Sequence, residues 1–280
     1  MKKLALTVLL ASLSQVALAE CPPLEGQLIQ GGLIWGDAQP GSTVTLDGQP
    51  LDVLDNGTFF AGFGRDAAAT AELVIEGAVS CRQTLQIRSR QYRISRVEGV
   101  PQQTVTPSEE HLDRIKRERA LVGAAKGQRL QRPDLLQSAL AGFEWPTTGR
   151  ISGVYGSQRV YNGTPKNPHY GVDVAVPTGT PVHAPTAGVV TLAEPDLFYS
   201  GGTVILDHGY GLSSSFLHMS KVHVEVGQEI RTGDLIGEVG ATGRATGPHL
   251  DWRMSWRRER VDPQLLVPPM PEAKAAPTGG

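Results

Sequence analysis

The sequence predicts a mainly β protein: a small N-terminal β-sandwich, a helical linker and a C-terminal domain built on an antiparallel β-sheet. Three observations predict it. In STVTLDGQPLDVLDNGTFFAGF, the pairs Asp47-Gly48 and Asn56-Gly57 separate alternating runs, and such pairs suit tight hairpin turns because both residues tolerate positive φ. From about 145 to 267, Gly and Pro recur every few residues between runs rich in Val, Ile and Thr, as in GVDVAVPTGTPVHAPTAGVVTLAEP and GGTVILDHGYGLSSSFLHMS. Between these regions lies TPSEEHLDRIKRERALVGAAKG, dense in helix formers.

At 280 residues the chain has room for two modest domains. Its first residues, MKKLALTVLLASLSQVALAEC, combine Lys2 and Lys3, an apolar run from Leu4 to Leu13 and the small-residue site Ala17-Leu18-Ala19. That is the pattern of a secretory signal peptide over 1–19, and it predicts an exported protein of the periplasm or cell envelope. The run is too short for a transmembrane helix, and no later stretch is long enough to span a bilayer. Glu20 stands where a lipid-anchor site has a small residue, so no anchor is expected at Cys21. Cys21 and Cys81 are the only cysteines, and in an exported protein two cysteines most simply form one disulfide. Such a bridge stabilises a domain by about 3 to 4 kcal/mol.

The β-sandwich, immunoglobulin-like in pattern, is expected over 20–104 and continues through AELVIEG and CRQTLQI. It holds no cluster of His, Asp or Glu that suggests chemistry, so a spacer or docking role is expected. In the linker, 105–142, Thr106, Pro107 and Glu109 form a capping box that starts a helix running to about Ala125. Leu112, Ile115, Leu121 and Val122 are its only apolar handles, which reads as a solvated connector. A second short helix is expected around Leu135 to Leu140, and the second β domain over 143–268. The tail, 269–280, lacks apolar periodicity and is predicted to be disordered. With 26 Lys and Arg against 28 Asp and Glu, the net charge of -2 implies no basic surface and no nucleic-acid partner.

All seven histidines except His111 fall in the second β domain. In NPHYGVD, His169 and Asp173 stand four apart where a loop enters a strand. Along a straight strand they would be about 13 Å apart, so a shared site needs a bend, which Gly171 can supply. In TGPHLDWRM, His249 and Asp251 alternate with Leu250, Trp252 and Met254, so on a strand they look out together while the apolar residues face a core. Arg253 lies on the same face and can pair with Asp251. His208 is expected at a turn beside the groove, His183 and His223 as ordinary strand residues, and Tyr155 and Tyr170 as packing aromatics. Arg159 is either a contact for an acidic peptide or a solvated loop residue, and Ser213 to Ser215 lack a nucleophile-elbow context.

HYGVD, FLHMSK and VGQEIRTGDLIGEVGATGRATGPHLDW, in that order, resemble the LytM-type zinc metallopeptidases, the M23 family that cleaves the peptide part of bacterial peptidoglycan. The likeness covers roughly Trp145 to Trp256. It implies His169 and Asp173 as metal ligands, His218 and His249 as catalytic residues, and Asp251 at the third-ligand position, where the family has His. It also implies one Zn2+ and an exported endopeptidase acting on peptidoglycan, with His218 and His249 assisting a metal-activated water. Two carboxylates and one imidazole would neutralise a divalent ion, hold a less acidic water and admit Mn2+ or similar ions more readily. Asp251 therefore either completes the site or pairs with Arg253. The second outcome goes with a different function: a catalytically inactive LytM-like protein that binds wall or regulates another cell-wall hydrolase.

Overall fold

The structure, a computed structural model, describes residues 20–98 and 109–271. The signal-peptide segment, the Thr106-Pro107 cap and the tail from 272 onward lie outside those residues. The protein is mainly β.

Near the N-terminus, a three-stranded sheet (Glu25–Gly26, Leu33–Asp37, Thr58–Gly62) faces a four-stranded one (Gln49–Pro50, Thr43–Leu46, Thr70–Glu76, Cys81–Gln86). Ile34, Phe59, Leu73 and Leu85 fill the space between them, all nearly inaccessible to solvent. Cys21 is bonded to Cys81, tying the start of the described chain to the edge of the larger sheet. Asp47 and Gly48 both have positive φ, as a two-residue hairpin turn requires. The second turn differs from the expected form. Leu54 and Thr58 enclose a three-residue loop in which Gly57 alone has positive φ, while Asn56 Oδ1 accepts from the Thr58 N–H.

Two helices follow, Glu109–Lys126 and Pro133–Ala141. Val122 and Ala125 of the first pack on Leu192, Leu197 and Ile205, whereas Leu112 and Leu121 stay exposed. The apolar contact with the main sheet is made by the C-terminal half of the helix, while Arg114 in the N-terminal half donates to Asp196 O at 2.8 Å and His111 meets the Phe198 ring.

That sheet runs in the order Glu229–Ile230, Gly188–Leu197, Gly201–Asp207, Leu212–Val222, Leu250–Trp256, Gly171–Ala175, Arg150–Gly153, with every pairing antiparallel. Its central strands are buried on both faces, so Leu250–Trp256 is not the half-exposed strand its alternation suggests. Leu250, Trp252 and Met254 face one core. The opposite face carries Asp251, Arg253 and Ser255. The N-terminal sheets pack directly against this assembly: Phe60 meets Trp256 edge-to-face, and Arg90, partly exposed, pairs with the buried Asp262 at 2.7 Å. Ile94–Val97 also pairs, in parallel, with the Gln158–Tyr161 strand that precedes His169.

Candidate metal centre

Adjacent antiparallel strands supply two carboxylates. Gly171–Ala175 and Leu250–Trp256 place Asp173 directly opposite Asp251, so the two side chains leave the same face side by side. His169 comes from the residues just ahead of the first strand. There the chain pairs with a loop instead of the sheet: His169 N donates to Ser157 O at 2.8 Å, and Gly156 N donates to His169 O at 2.7 Å. This turn of the chain, ahead of Gly171, brings the imidazole over the carboxylates, and Gly171 itself needs no positive φ. His169 Nε2 lies 3.0 Å from Asp173 Oδ1 and 3.4 Å from Asp251 Oδ1. One ligand atom from each of the three residues lies within 4.8 Å of the others.

Two glycines make the room. A Cβ on Gly153 would lie 2.0 Å from Asp173 Oδ2, and one on Gly171 would lie 2.7 Å from Asp251 Oδ1 and 2.6 Å from Arg253 Cγ. Only a residue without a side chain lets the neighbouring strands carry these groups so closely.

The donor set fits a divalent cation. His169 Nε2 and Asp173 Oδ1 are buried and, despite their proximity, are not aligned as a hydrogen bond with each other or with any other group. Buried polar atoms left in this way are costly, and a shared cation satisfies both. The closest donor separations lie near the edge of about 3.3 Å expected for a tetrahedral zinc site with bonds of about 2.0 to 2.1 Å.

Electrostatically the three residues are tightly linked. Burial works against the charged form of His169, yet the carboxylates of Asp173 and Asp251 outweigh it and lift the imidazole pKa to about 10. Burial also disfavours ionised Asp251, but Arg253 and His169 hold its carboxyl well below the usual range. Asp251 is only 2% exposed. Arg253 Nη2 donates to its Oδ2 at 2.5 Å and Arg253 Nε reaches both oxygens at 3.0 Å. Asp251 thus pairs with Arg253 and still presents Oδ1 to His169.

His218 and His249 stand beside the group, their ring centroids 4.8 Å apart. His218 has a φ of 65°, where a residue with a side chain is strained, and it sits where the pairing register between Gly201–Asp207 and Leu212–Val222 shifts. The bulge re-aims its ring. His218 Nδ1 meets Thr242 O at 2.9 Å and His249 Nδ1 meets Gly247 O at 2.8 Å. A carbonyl partner requires the proton on Nδ1, so Nε2 is the nitrogen each ring has available for proton exchange. Burial lowers the His218 pKa and outweighs the opposing pull of the Thr242 carbonyl, favouring the neutral ring. His249 Nε2 lies 3.9 Å from Asp173 Oδ1.

Other sequence expectations resolve differently. His208 is not beside the groove but fully buried, its Nδ1 on Ala187 O and its Nε2 on Ser214 Oγ, and burial lowers its pKa to about 4. This Ser–His contact lies on the sheet face opposite the metal donors, with no solvent access. Tyr155 packs as expected, 1% exposed, its hydroxyl donating to Arg260 O. Arg159 remains on the 158–165 hairpin, where its Nη1 meets the Tyr161 hydroxyl. Sequence reasoning missed Gly153 and Thr242. Thr242 also ties the bulge together, its Oγ1 accepting from Gly202 N and donating to Met219 O. A single Gly or Thr in a Gly/Thr-rich stretch gives no local signal of such a role.

One imidazole and two carboxylates on the sheet, with two further imidazoles beside them, make a group that could hold a metal ion. Comparison with known proteins gives the family. The profile of peptidase family M23 matches residues 167–263. A solved structure of a candidate peptidase M23 from Pseudomonas aeruginosa is 30% identical, covers 85% of this chain and 94% of that one, and superposes with a TM-score of 0.63. The chain belongs to peptidase family M23. It is also 36% identical over 138 residues to the peptidoglycan DD-endopeptidase ShyA of Vibrio cholerae serotype O1, a match covering 49% of this chain and 32% of ShyA. With the DD-carboxypeptidase/endopeptidase Mpg of Neisseria meningitidis serogroup B it shares 38% over 108 residues, 39% of this chain and 25% of Mpg. The chain thus spans a third or less of these curated relatives.

Proposed function

We propose that this protein is an exported, metal-dependent endopeptidase that hydrolyses peptide bonds of peptidoglycan. The observation that carries the reading is the convergence of His169, Asp173 and Asp251 beside His218 and His249 in an M23 chain. Support for the substrate comes from ShyA, named as a peptidoglycan DD-endopeptidase, and support for the peptidase activity from Mpg, named as a DD-carboxypeptidase/endopeptidase. The leader-like pattern over 1–19 and the Cys21–Cys81 bridge support export.

In this reading His169, Asp173 and Asp251 hold one divalent ion, with Zn2+ as first choice. When bound, such an ion polarises a peptide carbonyl and makes water acidic enough to attack near neutral pH. The chain's own residues do the rest. His218 and His249 keep their Nδ1 protons on backbone carbonyls, so each Nε2 can accept a proton from the attacking water. Once protonated at Nε2, that ring donates the proton to the leaving amine. Near His218, whose N–H is held by Ser200 O, Phe198 and Tyr199 stack edge-to-face and Arg244 lies over the Tyr199 ring.

The test is release of soluble peptides from purified peptidoglycan by the mature chain, loaded with Zn2+ or stripped by chelator. The reading expects release only from the loaded protein. Zn2+-loaded protein that leaves every peptide cross-link intact contradicts it.

A further inference from the structure

We infer that Asp251 and Arg253 act as one unit, the carboxylate serving the metal through Oδ1 while the guanidinium, held chiefly on Oδ2, cancels its charge, so that together they stand in for a neutral imidazole ligand. This rests on the metal-centre reading above and makes Arg253 a positioning residue.

The division of labour is visible in the distances. Arg253 Nη2 sits on Asp251 Oδ2 at 2.5 Å and Arg253 Nε reaches both oxygens at 3.0 Å, and of the two oxygens it is Oδ1 that also faces His169 Nε2, at 3.4 Å. Positions 251 and 253 share one face of the strand, which places the guanidinium behind the carboxylate and not across the site. Gly171, paired with Arg253 across the ladder, admits both groups, because a Cβ there would strike Arg253 Cγ and Asp251 Oδ1. The next position on that face, Ser255, accepts from Arg260 at 2.7 Å and from Lys126 at 3.4 Å. Among the described residues Asp251 is the one ion-pair partner of Arg253.

Charge then decides the character of the site. One neutral imidazole and two carboxylates cancel a divalent ion. Adding Arg253 returns the site to one positive charge, the total of a set with one carboxylate and two imidazoles, which is common in catalytic zinc sites. The neutral, weakly Lewis-acidic centre expected from the ligands alone is therefore not what this chain builds. Substitution at 251 without 253 unbalances it.

The experiment measures Zn2+ affinity of the full mature chain by competition with a chromophoric chelator, with thermal melting to follow folding. Four proteins are compared: wild type, Asp251→His, Arg253→Met and the double variant. Affinity should follow site charge, with Arg253→Met tighter than wild type, Asp251→His weaker by about tenfold or more, and the double variant close to wild type. Should Asp251→His fail to fold, Arg253→Met decides alone: tighter zinc binding with an activity profile moved to higher pH supports the unit, and unchanged or weaker binding overturns it. Equal affinities for Asp251→His and the double variant also overturn it. A wild type that binds no Zn2+ removes the metal-centre reading itself, whereas zinc binding with independent effects of the two substitutions removes only this inference.

Discussion

Replacing Gly153 by Ala adds one methyl group, and the structure says where it lands. It would sit 2.0 Å from Asp173 Oδ2, 2.7 Å from its Cγ and 3.1 Å from its Cβ, whereas ordinary contact begins at 3.4 Å. The carboxylate must therefore retreat by more than about one ångström, and its natural retreat is away from His169. Displacements of that size in a reacting site cost about a hundredfold in rate, and overpacking of a tight strand pair costs about 1 to 3 kcal/mol of stability. Zn2+ affinity by chelator competition and peptide release from peptidoglycan should both fall sharply in Gly153→Ala, with melting still cooperative. Gly123→Ala is the control: it lies on the Glu109–Lys126 helix with open space around the added Cβ, and it should leave both assays unchanged. A Gly153→Ala protein that binds Zn2+ and cleaves like wild type would refute the claim that Asp173 must occupy that space.

His218→Ala and His249→Ala should each lower kcat/KM by about 10² to 10⁴ while retaining bound Zn2+, a split checked by measuring metal content alongside turnover. Zn2+ affinity should rise with pH, by about tenfold per unit, because binding displaces the proton that the two carboxylates hold on His169. That rise should flatten as pH approaches the His169 pKa of about 10. In metal-free protein the sign is opposite: the stability contributed by protonated His169 is complete below its ordinary pKa of about 6.5 and is lost as pH rises through about 10. Paired titrations of affinity and melting temperature check both slopes. Changing Cys21 and Cys81 to Ser opens a loop of 60 residues and should cost about 4 kcal/mol, read from denaturant unfolding.

Much of the fold was legible because its signals are local. The Asp47-Gly48 turn follows from the φ preferences of two residues, and the β character of 145–267 from repeated turn residues between β-branched runs. The site was legible as a set of residue types in order, but its geometry was not. Sequence spacing implied a bend at Gly171, whereas the turn comes from His169 pairing with Gly156 and Ser157, a contact between segments that no local pattern encodes. Alternation in HLDWRM placed Asp251 on an outward face; the sheet is covered on that side too, so the carboxylate is buried and its pairing with Arg253 matters far more than at a surface. The positive φ of His218 and the space left by Gly153 arise from strand register, which a single sequence does not reveal.

The central claim is that His169, Asp173 and Asp251 jointly hold one divalent ion. Elemental mass spectrometry of the purified mature chain, after exchange into metal-free buffer with one equivalent of Zn2+, tests it most directly when run beside Asp173→Ala. One Zn2+ per chain in the wild type and little or none in Asp173→Ala is the predicted result. Equal metal content in the two proteins, or none in either, would contradict it.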